Sequence, residues 1–150
     1  MTNFTLPPDA VLSALVVVAA ALVDDRGRVL MQQRPAHRAH GGLWEYPGGK
    51  LEPGEGPAGA LVRELDEELG IAVDPADCRP IGFAAAEDGA PPVILLLYGC
   101  RRWQGTPDSR EGATLAWCTP AMIGALPQPP LDVPLGAAAI AYAAGADAAT

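Results

Sequence analysis

Residues 49–71 read GKLEPGEGPAGALVRELDEELGI, and the spacing within this run decides how the chain is built. Pro57 suits the first turn of a helix, where its missing N–H costs nothing, and Gly70 suits the left-handed residue that closes one. A helix is therefore expected over 57–69. At about 100° per residue, Leu61, Val62, Leu65 and Leu69 gather into one apolar stripe. Glu64, Glu67 and Glu68 gather elsewhere, Glu67 about 60° to one side of Glu64 and Glu68 about 40° to the other. Like charges so placed cost a helix about a few tenths of a kcal/mol per pair, and Glu67 and Glu68 also face the negative end of the helix dipole. An ordinary solvated acidic face is one reading. The Gly-Pro loop just upstream and the single Arg63 beside the cluster favour another. Oxygen ligands in excess are what Mg²⁺ or Mn²⁺ needs when phosphate oxygens complete the shell.

Working outward, 150 residues suffice for one domain with a real core. Ten Lys plus Arg against eighteen Asp plus Glu give a formal net charge of −8. With no basic tract, capture of a DNA or RNA backbone is not expected, and a polyanion would bind only where metal ions invert the local field. The three cysteines, Cys78, Cys100 and Cys118, have no metal-ligand spacing and read as isolated reduced thiols of a cytoplasmic protein. Leu12 to Val23 is apolar apart from Ser13, yet too short to span a bilayer. It has no preceding Lys or Arg and is followed by Asp24-Asp25, so it reads as a buried strand rather than a signal peptide.

Residues 1–11, with Pro7-Pro8, read as a loose lead-in to a single domain at 12–146. LSALVVVAAALV, the turn-like DDRGR and VLMQQR together predict a hairpin. PAHRAHGGL (35–43) is a loop; its His37 and His40 lack a third ligand and read as solvated rather than metal-binding. WEYPGGKLEPGEG is dense in Gly and Pro and reads as an ordered loop without regular structure. RPIGFAAAE and PVILLLYGCRRW predict strands, the second central. ATLAWC predicts a short strand, TPAMIGAL a brief helix, PQPPLDVP a stiff loop and LGAAAIAYAA a closing helix. The fold class expected is an α/β/α sandwich with a mixed central sheet.

Gly49, Glu55, Arg63, Glu64, Glu67, Glu68 and Gly70, with apolar Leu65 and Ile71, resemble a complete Nudix box. That box is the signature of hydrolases acting on a nucleoside diphosphate linked to another group. From average residue usage, such a match at a given register arises by chance roughly once in 10⁹. The resemblance runs from about Leu15 to Tyr142 and is nearest to the MutT-type branch and its relatives that hydrolyse pyrimidine triphosphates. It implies that Glu64, Glu67 and Glu68 bind Mg²⁺ or Mn²⁺ with the Gly48 carbonyl, while Glu55 and Arg63 brace the loop against the helix. Glu111 matches a position supplying one more metal-binding or base carboxylate, and otherwise is a plain loop residue. Arg34 matches a phosphate-contacting arginine, and otherwise is a strand-end charge. The reaction implied is hydrolysis of a nucleoside triphosphate to monophosphate and pyrophosphate, with Glu67 preferred as general base and Glu64 its rival.

For the base, the signal thins. Tyr46 stands where relatives place an aromatic beside the nucleobase, and could equally cover the core. Asp132 matches the residue that reads the base edge in MutT-type enzymes, and could equally be a turn aspartate. Its carboxylate accepts hydrogen bonds only. Leu131 and Gln128 depart from the usual pattern, leaving both an oxidised purine such as 8-oxo-dGTP and a CTP-like substrate open. The former implies sanitising the nucleotide pool in the service of DNA repair. A hydrolase of nucleoside diphosphate sugars or dinucleoside polyphosphates is a second enzyme reading. A non-catalytic nucleotide-binding regulator is a third class, disfavoured because all four box glutamates are intact.

Overall fold

The computed structural model describes residues 13–145. The lead-in expected at 1–11, together with Leu12 and Ala146 at the ends of the expected domain, lies outside the described residues.

β1 (Leu15–Leu22) is an inner strand, and its composition explains why. Val18, Ala20 and Leu22 enter one apolar cluster, while Ala19 and Ala21 enter the other. A strand buried on both faces reads as a continuous apolar run rather than an alternating one. It is flanked by β4 (Gly48–Lys50), antiparallel, and β6 (Val93–Cys100), parallel, with Leu15 opposite Val93 and Leu22 opposite Cys100. β5 (Arg79–Ala86) pairs antiparallel with the far side of β6. The mixed sheet therefore runs β4-β1-β6-β5. A second, antiparallel sheet runs β3-β2-β7, from β3 (Trp44–Glu45), β2 (Val29–Gln33) and β7 (Thr114–Cys118).

α1 (Pro57–Leu69) has the bounds expected for it, closed by Gly70 at φ 68°. Ala60, Leu61, Leu65 and Leu69 are its buried residues, and they share a cluster with Val18, Ala20, Leu22 and Leu30. α2 (Pro120–Ala125) and α3 (Gly136–Ala143) supply Ile123, Ala139 and Ala143 to the other cluster, with Met31, Leu95 and Leu97. The mixed sheet thus lies between helices, as expected.

Two expectations are corrected. The hairpin of β1 and β2 is reduced to a single antiparallel bridge, Val23 to Val29, beyond which the strands part into different sheets. Both edges of β1 are already taken by β4 and β6, so β2 pairs with β3 and β7. The Gly-Pro segment after residue 43, expected to lack regular structure, contains the short strands β3 and β4. Gly48 explains the second of these. A Cβ there would overlap the Val18 carbonyl, so only glycine lets this backbone settle against β1.

Candidate active site

Arg63 is the hinge of the acidic cluster. Its Nε and Nη2 donate to the two oxygens of Glu55, each at 2.8 Å, and Nη2 also donates to the Lys50 carbonyl at 3.1 Å. A bidentate pair of this kind fixes orientation as well as charge, and it fastens the loop before α1 to the helix. Glu55 also accepts from the Glu52 amide at 2.8 Å. Bonded chiefly by Arg63, the Glu55 carboxyl is drawn down to about 2. The third nitrogen, Nη1, donates to Glu64 at 3.0 Å and Glu67 at 3.3 Å. One cation therefore relieves part of the repulsion that the helical spacing creates.

Glu68 takes a different environment. It points toward β4, where its Oε2 accepts from the Gly48 amide at 3.3 Å. Burial first, then Glu64 and Glu111, push its carboxyl up to about 8, with the Gly48 amide opposing. Glu64 is raised too, chiefly by burial, with Arg63 pulling the other way and Glu67 and Glu111 adding to the rise. Gly49 makes room for it, since a Cβ at that position would sit inside the Glu64 carboxyl. Glu67 remains exposed on the rim.

The loop after β6 returns to this helix end through its backbone. Asp108 N–H donates to the Leu69 carbonyl at 3.1 Å and Arg110 N–H to the Glu68 carbonyl at 2.9 Å, satisfying carbonyls that a helix terminus leaves open. Ser109 Oγ then accepts from the Ala113 amide at 2.9 Å. These bonds carry Glu111, itself exposed, into electrostatic reach of Glu64 and Glu68.

A cavity of about 580 Å³ adjoins the cluster, with Gly48, Gly49, Glu68 and Glu111 in its wall. Arg34, Tyr46 and Asp132 line the same cavity, so all three sequence-predicted substrate residues share it. Glu55, Arg63, Glu64 and Glu67 are not in its wall. Arg34 donates to Glu45 at 3.0 Å and to the Ala39 carbonyl at 2.9 Å. Asp132 is 8% exposed. Burial, then Glu45, raise its carboxyl to about 6, against the Tyr46 amide and Arg34. Tyr46 is 3% exposed and belongs to the core cluster, so little of its ring is free to stack. Its buried hydroxyl has no hydrogen-bond partner, and burial and Asp132 hold that hydroxyl well above the usual range.

The Pro-rich segment is stitched down from both sides. Trp44 N–H donates to the Pro127 carbonyl at 2.8 Å, and Gln128 Nε2 to the Ile123 carbonyl at 2.9 Å. Pro129 and Leu131 then reach the cavity wall. Both histidines are exposed, with His40 at the cavity rim.

Two cavity residues escaped the sequence reading. Gln32 is 8% exposed, one of the two buried polar or charged side chains among the described residues. Its signal was an amide pair, Gln32-Gln33, closing an otherwise apolar strand. Glu45 influences both Glu68 and Asp132 and so links the two groups.

Among the described residues no three His, Cys, Asp or Glu side chains close on one point tightly enough to cage an ion by themselves. Nonetheless the donors at hand, Glu64, Glu68, Glu111 and the Gly48 carbonyl, are all hard oxygens. Two of these carboxylates are raised by burial and by one another, so the set suits a divalent cation that draws its remaining ligands from phosphate. No helix among the described residues is long and apolar enough to cross a membrane.

Comparison with known proteins places the chain in a family. The CTP pyrophosphohydrolase of Escherichia coli K12 is 36% identical over 121 residues, covering 81% of this chain and 88% of that protein. The 8-oxo-dGTP diphosphatase of Proteus vulgaris is 34% identical over 99 residues, covering 66% and 87%. The solution structure of the E. coli ORF135 protein superposes with a TM-score of 0.79 at 36% identity, covering 91% of this chain and 96% of that one. The NUDIX domain profile matches residues 13–138, which is most of the chain, and this protein therefore belongs to the Nudix hydrolase family.

Proposed function

We propose that residues 12–146 form one catalytic unit that hydrolyses nucleoside triphosphates to monophosphate and pyrophosphate. The observation that carries this reading is one cavity whose wall holds both the Gly48–Glu68–Glu111 group and the buried Gln32–Tyr46–Asp132 group. The first suits a phosphate chain and the second a base. Glu64, Glu67 and Glu68, with Glu111 and the Gly48 carbonyl, would hold Mg²⁺ or Mn²⁺. Such an ion, when bound, neutralises phosphate oxygens and lowers the pKa of water. Arg63 keeps Glu64 and Glu67 oriented, and Arg34 is placed to meet a phosphate oxygen once it leaves Glu45. Glu67, on the rim and tethered through Arg63 Nη1, takes the proton of the attacking water at its free carboxylate oxygen.

The base preference proposed is an oxidised guanine such as that of 8-oxo-dGTP. Asp132, ionised above about pH 6, is an acceptor suited to the adjacent N1–H and amino donors of guanine. Clearance of oxidised nucleotides before a polymerase uses them follows, in the cytoplasm, whose reducing poise suits a chain with three free cysteines. A CTP-like substrate is the second reading. It is favoured by the likeness to a protein named CTP pyrophosphohydrolase, and cytosine also offers Asp132 an amino donor.

The test is release of pyrophosphate against orthophosphate, across oxidised and normal purine and pyrimidine triphosphates, with Mg²⁺ and Mn²⁺. Pyrophosphate from one triphosphate class at high kcat/KM is expected. Cleavage of nucleoside diphosphate sugars or dinucleoside polyphosphates in preference to every triphosphate would overturn the reading.

A further inference from the structure

Cys78 and Cys100, expected to be isolated thiols, face one another. The register of β5 on β6 sets Arg79 opposite Gly99 and Pro80 opposite Tyr98, so the next position back opposes Cys78 to Cys100. Both side chains join the apolar cluster beneath α1, which places the two sulfurs on the same side of the sheet. Each thiol also donates to a nearby backbone carbonyl, Cys78 to Asp74 at 3.8 Å and Cys100 to Arg102 at 3.2 Å. Directly opposed residues of antiparallel strands have Cα atoms about 4.5–5.5 Å apart, inside the roughly 4.4–6.8 Å that a disulfide spans. Cys100 is fully buried, whereas Cys78 is partly exposed, so a small reagent has a way in. Cys118 is buried in the other cluster and serves as an internal control. Neither Cys78 nor Cys100 lines the nucleotide cavity.

We propose that Cys78 and Cys100 form a reversible dithiol–disulfide site for a peroxide-class oxidant, independent of nucleotide turnover. A thiolate of the pair attacks one peroxide oxygen, the O–O bond breaks, and hydroxide leaves, giving a sulfenic acid. The second sulfur, as thiolate, attacks the sulfenic sulfur, the S–O bond breaks, and a second hydroxide leaves. With the two thiol protons this amounts to two waters, two sulfurs being oxidised as one peroxide is reduced. The closeness of the two thiols supports the first step, since it draws the Cys100 thiol below its ordinary value while pushing Cys78 up. Less thiol and more thiolate on one member is what a redox-active pair requires.

The experiment treats the reduced full-length protein with hydrogen peroxide and counts thiols after unfolding in an alkylating agent. Two of the three thiols should disappear, with an intact-mass loss of two hydrogens and a peptide linking Cys78 to Cys100. Dithiothreitol should restore all of them. Closing this loop should raise the thermal midpoint by roughly 5 °C. Cys118→Ala should keep the behaviour, and Cys78→Ser and Cys100→Ala should each lose it. Should Cys100→Ala fail to fold, Cys78→Ser at the more exposed position decides alone. Three surviving thiols, a crosslink through Cys118 or between chains, or a sulfinic acid with no crosslink would overturn the proposal.

Discussion

The two halves of the cavity are made by opposite means. The acidic half comes from one helix and the loop before it, tied by one guanidinium, and its carboxylates range from half-buried Glu68 in the cavity wall to exposed Glu67 beside it. The other half, proposed to meet the base, comes from three distant segments, Gln32 on β2, Tyr46 after β3 and Asp132 in the Pro-rich loop, with all three side chains nearly closed to solvent. Chemistry common to many substrates needs local spacing only. Selectivity needs buried polar atoms that penalise the wrong partner when left unpaired, and burial of that kind draws on the whole fold.

Four substitutions bear on this contrast. Glu67→Gln, in the open half, should lower kcat by at least ~10²-fold with little change in KM, the usual scale for a general base. Near-normal Mg²⁺-dependent turnover would transfer the role to Glu64, to be checked with Glu64→Gln.

Asp132→Asn should act on stability and on substrate ranking rather than on the chemical step. The native carboxyl, raised to about 6 from 3.8, binds a proton more tightly than the unfolded chain does. Its contribution to stability is therefore highest below about pH 4, falls as pH rises through the window to about 6, and stays reduced above it. The full penalty is about 2–3 kcal/mol, at roughly 1.4 kcal/mol for each pH unit of displacement. The amide variant should be more stable at pH 7.5 and equal at pH 4, as urea denaturation would measure. It should also narrow the discrimination between purine and pyrimidine triphosphates.

Gly49→Ala tests whether the open half depends on backbone closeness. The added methyl displaces the Glu64 carboxyl and should reduce kcat about tenfold, a cost of about 1.4 kcal/mol, with the circular dichroism spectrum unchanged. The smallest effect belongs to Tyr46→Phe. Its hydroxyl is buried without a partner, so removing it should leave stability level or raise it by up to about 1 kcal/mol. A rise in KM confined to one nucleotide class would show that the hydroxyl finds its partner on the base.

The same contrast explains what could be read from residues alone. α1 was legible to the residue because Pro57 and Gly70 punctuate it and the leucine stripe repeats at the helical period. The Arg63–Glu55 brace was expected from the resemblance to the Nudix box rather than from the helical period. Pairing between strands was not legible, because whether β1 joins β2 depends on competition from β4 and β6 far along the chain. β3 and β4 went unseen since two- and three-residue strands made of Trp, Glu, Gly and Lys carry no period. Gln32 and Glu45 acquire meaning only once Asp132, about a hundred positions away, is folded beside them. The facing thiols depend on the register of β5, which a bulge between Pro80 and Gly82 shifts by a residue. Counting along the chain does not reveal such a shift.

The parallel union of β1 with β6 also governs how the molecule is made. Residues 15–22 find their main partner only in residues 93–100, so a nascent chain on the ribosome carries an aliphatic strand with that edge unpaired until residue 100 has been made. Unpaired edges of this kind invite aggregation, and α1 is the first element emerging afterwards that can shelter one face of the strand. Slowing translation between the codons for residues 70 and 93 should therefore lower soluble yield more than the same delay placed after residue 100.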